Sequence, residues 1–330
     1  MPGFRAHYFF GDESEKAMET TPEFIVNHRN VYNLGQQGPD IFFYSPQAHL
    51  FYKKNIGFVM HSDRVMSFFQ NLFLSREGFS NKKDLEIVDA YICGFMGHYS
   101  LDTVAHPYIH DRAEKMKYRH EFSKSFGIHV QLETDIDNHN VRHFLGCEPI
   151  EFHHYDTIKV SNYEREVVGL LLESAIALTY PENMMKKKHI KSAVSFSRTL
   201  FRWMVDKNGR KKRFVKWIDM TFFHHDFLNA VISNDDIEIN PDPCNLKHRE
   251  YKNPWDESMK ITKDFYELME DGKDNYLRRV ALYEKMIKEY ATDNPASESY
   301  YKLQNQLIED LGDLSYDSGL PLPLVYPEDE

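Results

Sequence analysis

Cysteine is scarce in this 330-residue chain: Cys93, Cys147 and Cys244 are odd in number and widely spaced, which fits thiols in a reducing compartment better than a disulfide framework. They also lack the paired spacing of a structural zinc site. Reduced thiols and a cytoplasmic location are the expectation. Long apolar runs are missing too. The opening MPGFRAHYFFGDESEK has no apolar core of the about 7–15 residues that a secretory signal needs. The most apolar stretch, Val167 to Tyr180, is broken by Glu173 and is too short to cross a bilayer, so a core helix is expected there. A positive balance is absent as well: the formal net charge of −11 disfavours nonspecific attraction to nucleic-acid phosphates, and nucleic acid is not an expected partner.

What is present is apolar and aromatic content, 42% and 14%, enough to build a sizeable core. Helical periodicity dominates. Leu85, Val88, Ile92, Phe95 and Tyr99 recur three or four apart, as do Ile128, Leu132 and Ile136. Further helices are expected over 5–18, 61–74, 163–178, 187–205, 257–291 and 297–311, with no run of alternating strands, so the fold class is all-α. The stretch from Ser233 to Trp255, with Pro241, Pro243 and Pro254, reads as a long connection. The expected organisation is a helical domain over 1–232, a connecting loop over 233–256, and C-terminal helices with an extended tail over 257–330, packed on the same domain. Lys207, Arg210, Lys211, Lys212, Arg213 and Lys216 form a basic run. A solvated turn between two helices is the favoured reading, and peripheral contact with an anionic lipid surface is the alternative.

The residues that carry chemistry are histidines and carboxylates. Asn81 can cap a helix on which His98, Asp102 and His106 follow at four-residue steps, with neighbouring Cβ atoms about 5–6 Å apart and able to share metal ions. Gly94, Gly97 and Ala105 leave room around that face for other ligand-bearing elements. Pro107 disfavours helical geometry in the residue before it, so His106 is expected at a helix end or kink. A second helix offers His129 and Glu133 at the same spacing, with Asp137 one step further. Chance alone gives roughly two or three His-x-x-x-Asp/Glu pairs in such a chain, and the fuller His98, Asp102, His106 pattern about once in ten chains. Spacing therefore leaves metal binding and surface histidines both open. His139 and His143 read as part of a solvated helix; the adjacent pairs His153-His154 and His224-His225 do not share a face. His28, His49 and His110 are candidate partners behind the ligands.

The segments AHYFFGDE, YNLGQQGPDIFFYSP, MHSD, HYSLDTVAHPYIH and HVQLETDID, in that order over residues 5 to 140, resemble the motifs of the zinc-dependent phospholipase C family. That superfamily also holds single-strand nucleases. The resemblance implies a multi-helix phospholipase C-type domain with a helical C-terminal extension. It further implies zinc held by Asp40, His61, His98 and Asp102, a second zinc held by His106, His129 and Glu133, and a third between Asp102 and His7. The secreted enzymes complete that third site with a processed amino terminus, where this chain begins Met1-Pro2. The implied activity is phosphodiester hydrolysis by metal-activated water, on a phospholipid or a soluble phosphodiester, with Asp40 or Glu133 accepting the proton. A single-strand nuclease-like phosphodiesterase and a non-catalytic metal-binding helical protein are the rival readings. Asp137 has no counterpart in the family's ligand set, and its loss is expected to matter little.

Overall fold

The computed structural model describes residues 3–117, 125–224, 228–233, 240–290 and 297–323. Its chain order is α1 Phe4–Lys16, α2 Glu23–Asn27, α3 Arg29–Gly35, α4 Pro46–Leu50, α5 Ile56–Ser62, α6 Val65–Arg76, α7 Lys82–Lys117 and α8 Ser125–Leu145. There follow α9 His154–Thr157, α10 Asn162–Thr179, α11 Lys187–Met204, α12 Arg210–Ile218, the strands β1 Tyr251–Asn253 and β2 Asp256–Ile261, then α13 Phe265–Glu289 and α14 Glu298–Leu311. The architecture is all-α, with one two-stranded antiparallel sheet among the described residues.

The long helix α7 is the axis. Asn81 caps it, its side chain accepting from the Lys83 N–H at 2.8 Å. From Ile87 to Ala113 it is buried on nearly every side rather than along one stripe, because α3, α13, α8, α10 and α1 all pack around it. The predicted room at Gly94 is used: a Cβ there would lie 2.1 Å from the Tyr32 carbonyl and 2.8 Å from the Gly35 Cα, so α3 crosses α7 at backbone contact. That close crossing brings the segment bearing Asp40 over the His98 face of α7.

Four expectations need correcting. The stretch 61–74 is not one helix: Arg64 adopts a left-handed conformation (φ 52°), which ends α5 just after His61 and starts α6 in a new direction. The helix expected from 257 begins only at Phe265, where Asp264 and Glu267 form a capping box, and the residues before it pair as β1 and β2. His106 is not at a helix end, since α7 continues through Pro107 to Lys117. Most of the basic run is not a turn: Lys207 lies in one, but α12 takes up Arg210 to Lys216, with Lys212 buried. Residues 234–239 of the connection and 324–330 of the tail lie outside the described residues. Among the described residues no helix is long and apolar enough to cross a membrane.

Candidate metal centre

Five chain segments converge on one buried place. α7 contributes His98, Asp102 and His106, all 0% exposed; α1 contributes His7, the turn after α3 Asp40, the end of α5 His61, and α8 His129 and Glu133. The donor atoms of His7, Asp40 and His98 lie within 4.8 Å of one another, as do those of His61, His98 and Asp102, and those of His106, His129 and Glu133. Asp102 is the hub. Its oxygens sit 2.9 Å from His98 Nε2, 3.2 Å from His7 Nε2, 3.6 Å from His61 Nε2 and 3.9 Å from His106 Nδ1. Asp40 stands 3.3 Å from His61 Nε2, and His129 Nε2 stands 2.7 Å from Glu133.

Backbone carbonyls orient the rings. His61 Nδ1 donates to Gly57 O at 2.7 Å, His98 Nδ1 to Gln36 O at 3.1 Å, and His106 Nδ1 to Tyr316 O at 2.8 Å. Each bond occupies Nδ1 and turns Nε2 into the cluster. Those three Nε2 atoms, both ring nitrogens of His7 and all four oxygens of Asp40 and Asp102 are buried with no well-aligned hydrogen bond. Buried polar atoms are satisfied in the great majority of cases, so this concentration of unpaired donors among the described residues fits a bound cation.

The electrostatics agree. Burial opposes charge on Asp102, yet the neighbouring His98 and His7 outweigh it and hold that carboxyl well below the usual range. Burial likewise pushes His61 down, but Asp102 and Asp40 carry it up to about 10. Burial lowers His7 and His129 and raises Glu133 well above an ordinary glutamate. The described partners of Asp40 and Asp102 within ion-pair reach are all histidines. Imidazole and carboxylate donors without cysteine are the set that zinc accepts.

The sequence profile of zinc dependent phospholipase C matches residues 6–190. The chain belongs to the zinc-dependent phospholipase C family. No curated protein and no solved structure matches it. Membership in this family makes the chain a zinc-dependent hydrolase of the phosphodiesterase type, and the buried His/Asp clusters fit zinc.

Beside the cluster opens a cavity of about 300 Å³, walled by Phe43, Tyr44 and Phe58 and floored by His61, His129, Glu133 and Asp317. Its size is that of a small-ligand pocket. Two contributors come from beyond the matched segment. Tyr316 gives the carbonyl that holds His106, donates its N–H to His61 O at 3.0 Å, and packs its ring against His61 and His98. Asp317 lies 3.6 Å from His110 Nε2; burial works against its charge, but His110 and His61 keep its carboxyl low. The segment DLSYDSG carries no His and no metal-ligand spacing, so nothing local in the sequence announced it.

A backbone device seats that segment. Pro107 has no N–H, which frees the carbonyl of Thr103 one turn earlier. Gly319, in the left-handed region at φ 65°, lies against that carbonyl, where a Cβ would come within 2.1 Å of the oxygen. The proline thus serves as a dock for the C-terminal turn.

The other histidines divide. His110 borders the cavity, with its ring 4.6 Å from that of His129. His28 pairs instead with Glu164 and Glu86, and His49 bonds the Phe43 carbonyl. The helix around His139 and His143 is solvated on one side only: His143 is exposed and His139 half-buried, Asn138 and Asn140 are buried, and both histidines engage Tyr266. His154 is buried among Tyr8, Phe152 and Phe201. His225 lies outside the described residues. Asp137 is not a bystander, because its carboxylate accepts from the Arg5 and Ala6 N–H groups at 3.0 and 2.8 Å, tying down the first turn of α1 just before His7.

Proposed function

We propose that this protein is a phosphodiesterase whose site holds at least two zinc ions. His7, Asp40, His61, His98 and Asp102 would hold metal on one side, and His106, His129 and Glu133 on the other. The observation that supports this reading is the convergence of buried Nε2 atoms and carboxylate oxygens without a hydrogen bond among the described residues, beside a cavity. Bound zinc supplies Lewis acidity and charge neutralisation at a phosphodiester. The chain's own residues do the rest. The carbonyls of Gly57, Gln36 and Tyr316 hold the imidazoles in one orientation. Phe43 and Phe58 line one wall of the cavity with apolar rings, which strengthens charge interactions on that side. Asp40 or Glu133 would take the attacking water's proton, and of the two Glu133 lines the cavity. A cytoplasmic setting belongs to the same proposal, supported by three free cysteines, of which Cys93 and Cys244 are buried.

Hydrolysis of a chromogenic phosphodiester by the zinc-loaded protein tests the reading. Turnover that is competed by phospholipid and not by single-stranded DNA is expected. Stoichiometric zinc with no turnover on any diester would overturn catalysis and leave a metal-stabilised fold.

A further inference from the structure

In a chain with net charge −11, α12 and its flanks form a face of the opposite character. Trp203, Phe214, Trp217, Met220 and Phe222 are 41%, 60%, 60%, 36% and 70% exposed. Interleaved with them, Lys207, Arg210, Arg213 and Lys216 are exposed, and none forms an ion pair with a carboxylate among the described residues. The one acidic residue between 202 and 218, Asp206, is buried and spent on the Lys212 N–H. Positions 210, 213, 214 and 217 share one side of the helix, where Phe214 and Trp217 stack with centroids 6.0 Å apart. The opposite side is fixed: Val215 and Lys212 are buried, and Lys212 Nζ donates to Gln131 Oε1 and Ile232 O at 3.0 Å each. Gln131 lies between His129 and Glu133 on α8, so this face is anchored on the helix that supplies the metal centre. It also lies outside the segment that matches the family.

Packing does not explain this face. Basic residues alone would read as solvated surface, and aromatic residues alone as a scattered exposed set. Together, on one short helix whose acidic sequence neighbours among the described residues, Asp206 and Asp219, are both buried, they have the composition of an interfacial membrane anchor: rings for the headgroup layer, cations for lipid phosphates. Single-stranded nucleic acid would need free ring faces spaced along a groove, whereas Phe214 and Trp217 already stack on each other and Met220 offers no ring.

We propose that α12 and its flanks dock the protein on an anionic lipid bilayer. The proposal deepens the phosphodiesterase reading by naming where a lipid substrate is met, and it is tested without turnover so that either can fail alone.

The full-length, zinc-loaded protein is sedimented with phosphatidylcholine vesicles, with and without phosphatidylserine. Binding is expected only to the anionic vesicles, weakening as salt rises, with a blue shift of tryptophan emission. Phe214→Ser with Trp217→Ser, and separately Arg213→Glu with Lys216→Glu, should each lower vesicle affinity by about tenfold or more. Both pairs are exposed, so rates on a soluble chromogenic diester should match the parent. Equal binding to both vesicle types, undiminished binding by both double variants, or tighter binding of a single-stranded oligonucleotide through the same residues would overturn the proposal.

Discussion

Replacing Gly319 by alanine asks whether the C-terminal turn is part of the metal centre. A Cβ at this position would sit 2.1 Å from the Thr103 carbonyl oxygen, where ordinary contact begins near 3.4 Å, so the turn must retreat by more than 1 Å. Three hydrogen bonds depend on its place: Tyr316 N to His61 O at 3.0 Å, His106 Nδ1 to Tyr316 O at 2.8 Å, and Asn253 Nδ2 to Ser318 O at 2.8 Å. Losing them at about 0.5–1.5 kcal/mol each, with about 1–2 kcal/mol for alanine at positive φ, gives a destabilisation of about 2.5–6.5 kcal/mol. His106 would also lose the acceptor that orients its ring, which should weaken zinc binding by about 10–100-fold. Gly146→Ala is the control: its φ is 64°, nearly the same, but nothing lies within 4 Å of the added carbon. It should cost only the strain, about 1–2 kcal/mol, and leave zinc affinity alone. Denaturant unfolding and competition with a chromogenic chelator measure both quantities. If the two variants behaved alike, the seating of the turn on the carbonyl freed by Pro107 would be wrong.

Asp102→Asn keeps volume but removes the charge that faces four histidines, so zinc content and hydrolysis should fall together; a variant with full metal and full rate would sink its role as hub. Asp137→Ala leaves the Arg5 and Ala6 N–H groups without their acceptor inside the protein and should cost about 2–4 kcal/mol. It should also loosen His7, and stability equal to that of the exposed-site variant Glu309→Gln would contradict this. Burial depresses the His154 pKa from 6.5 to about 3, so the unfolded chain takes up a proton that the folded one refuses. Stability present above pH 6.5 is therefore lost as the pH falls toward 3, with about 2 kcal/mol of that loss between about pH 7 and pH 5. His154→Phe should remove that component, and unfolding midpoints that fall as steeply as the parent's would count against it.

Of the candidate site, His98, Asp102, His106, His129 and Glu133 were legible from helical spacing, whereas His7, Asp40 and His61 came only from the resemblance, which joined segments that spacing could not. His61 was found although the helix around it was misread, since the motif MHSD is local and the left-handed turn at Arg64 has no glycine to advertise it. What stayed hidden is long-range. Tyr316 and Gly319 act largely through backbone atoms and close approach, and Asp317 through a carboxylate whose partner His110 lies far back in the chain, none of which local spacing encodes. Asp137 looked like surface because its partners are the N–H groups of a helix more than a hundred residues earlier. The basic run was read as charge alone, and only the helix that forms there shows that its cations and aromatic rings share one side.

Metal analysis of the purified protein, grown with zinc and counted against protein concentration by mass spectrometry, tests the central claim most directly. The arrangement of His7, Asp40, His61, His98, Asp102, His106, His129 and Glu133 predicts two or more zinc ions per chain, lost together with thermal stability on chelation. A folded protein that holds no zinc after such growth would contradict the account.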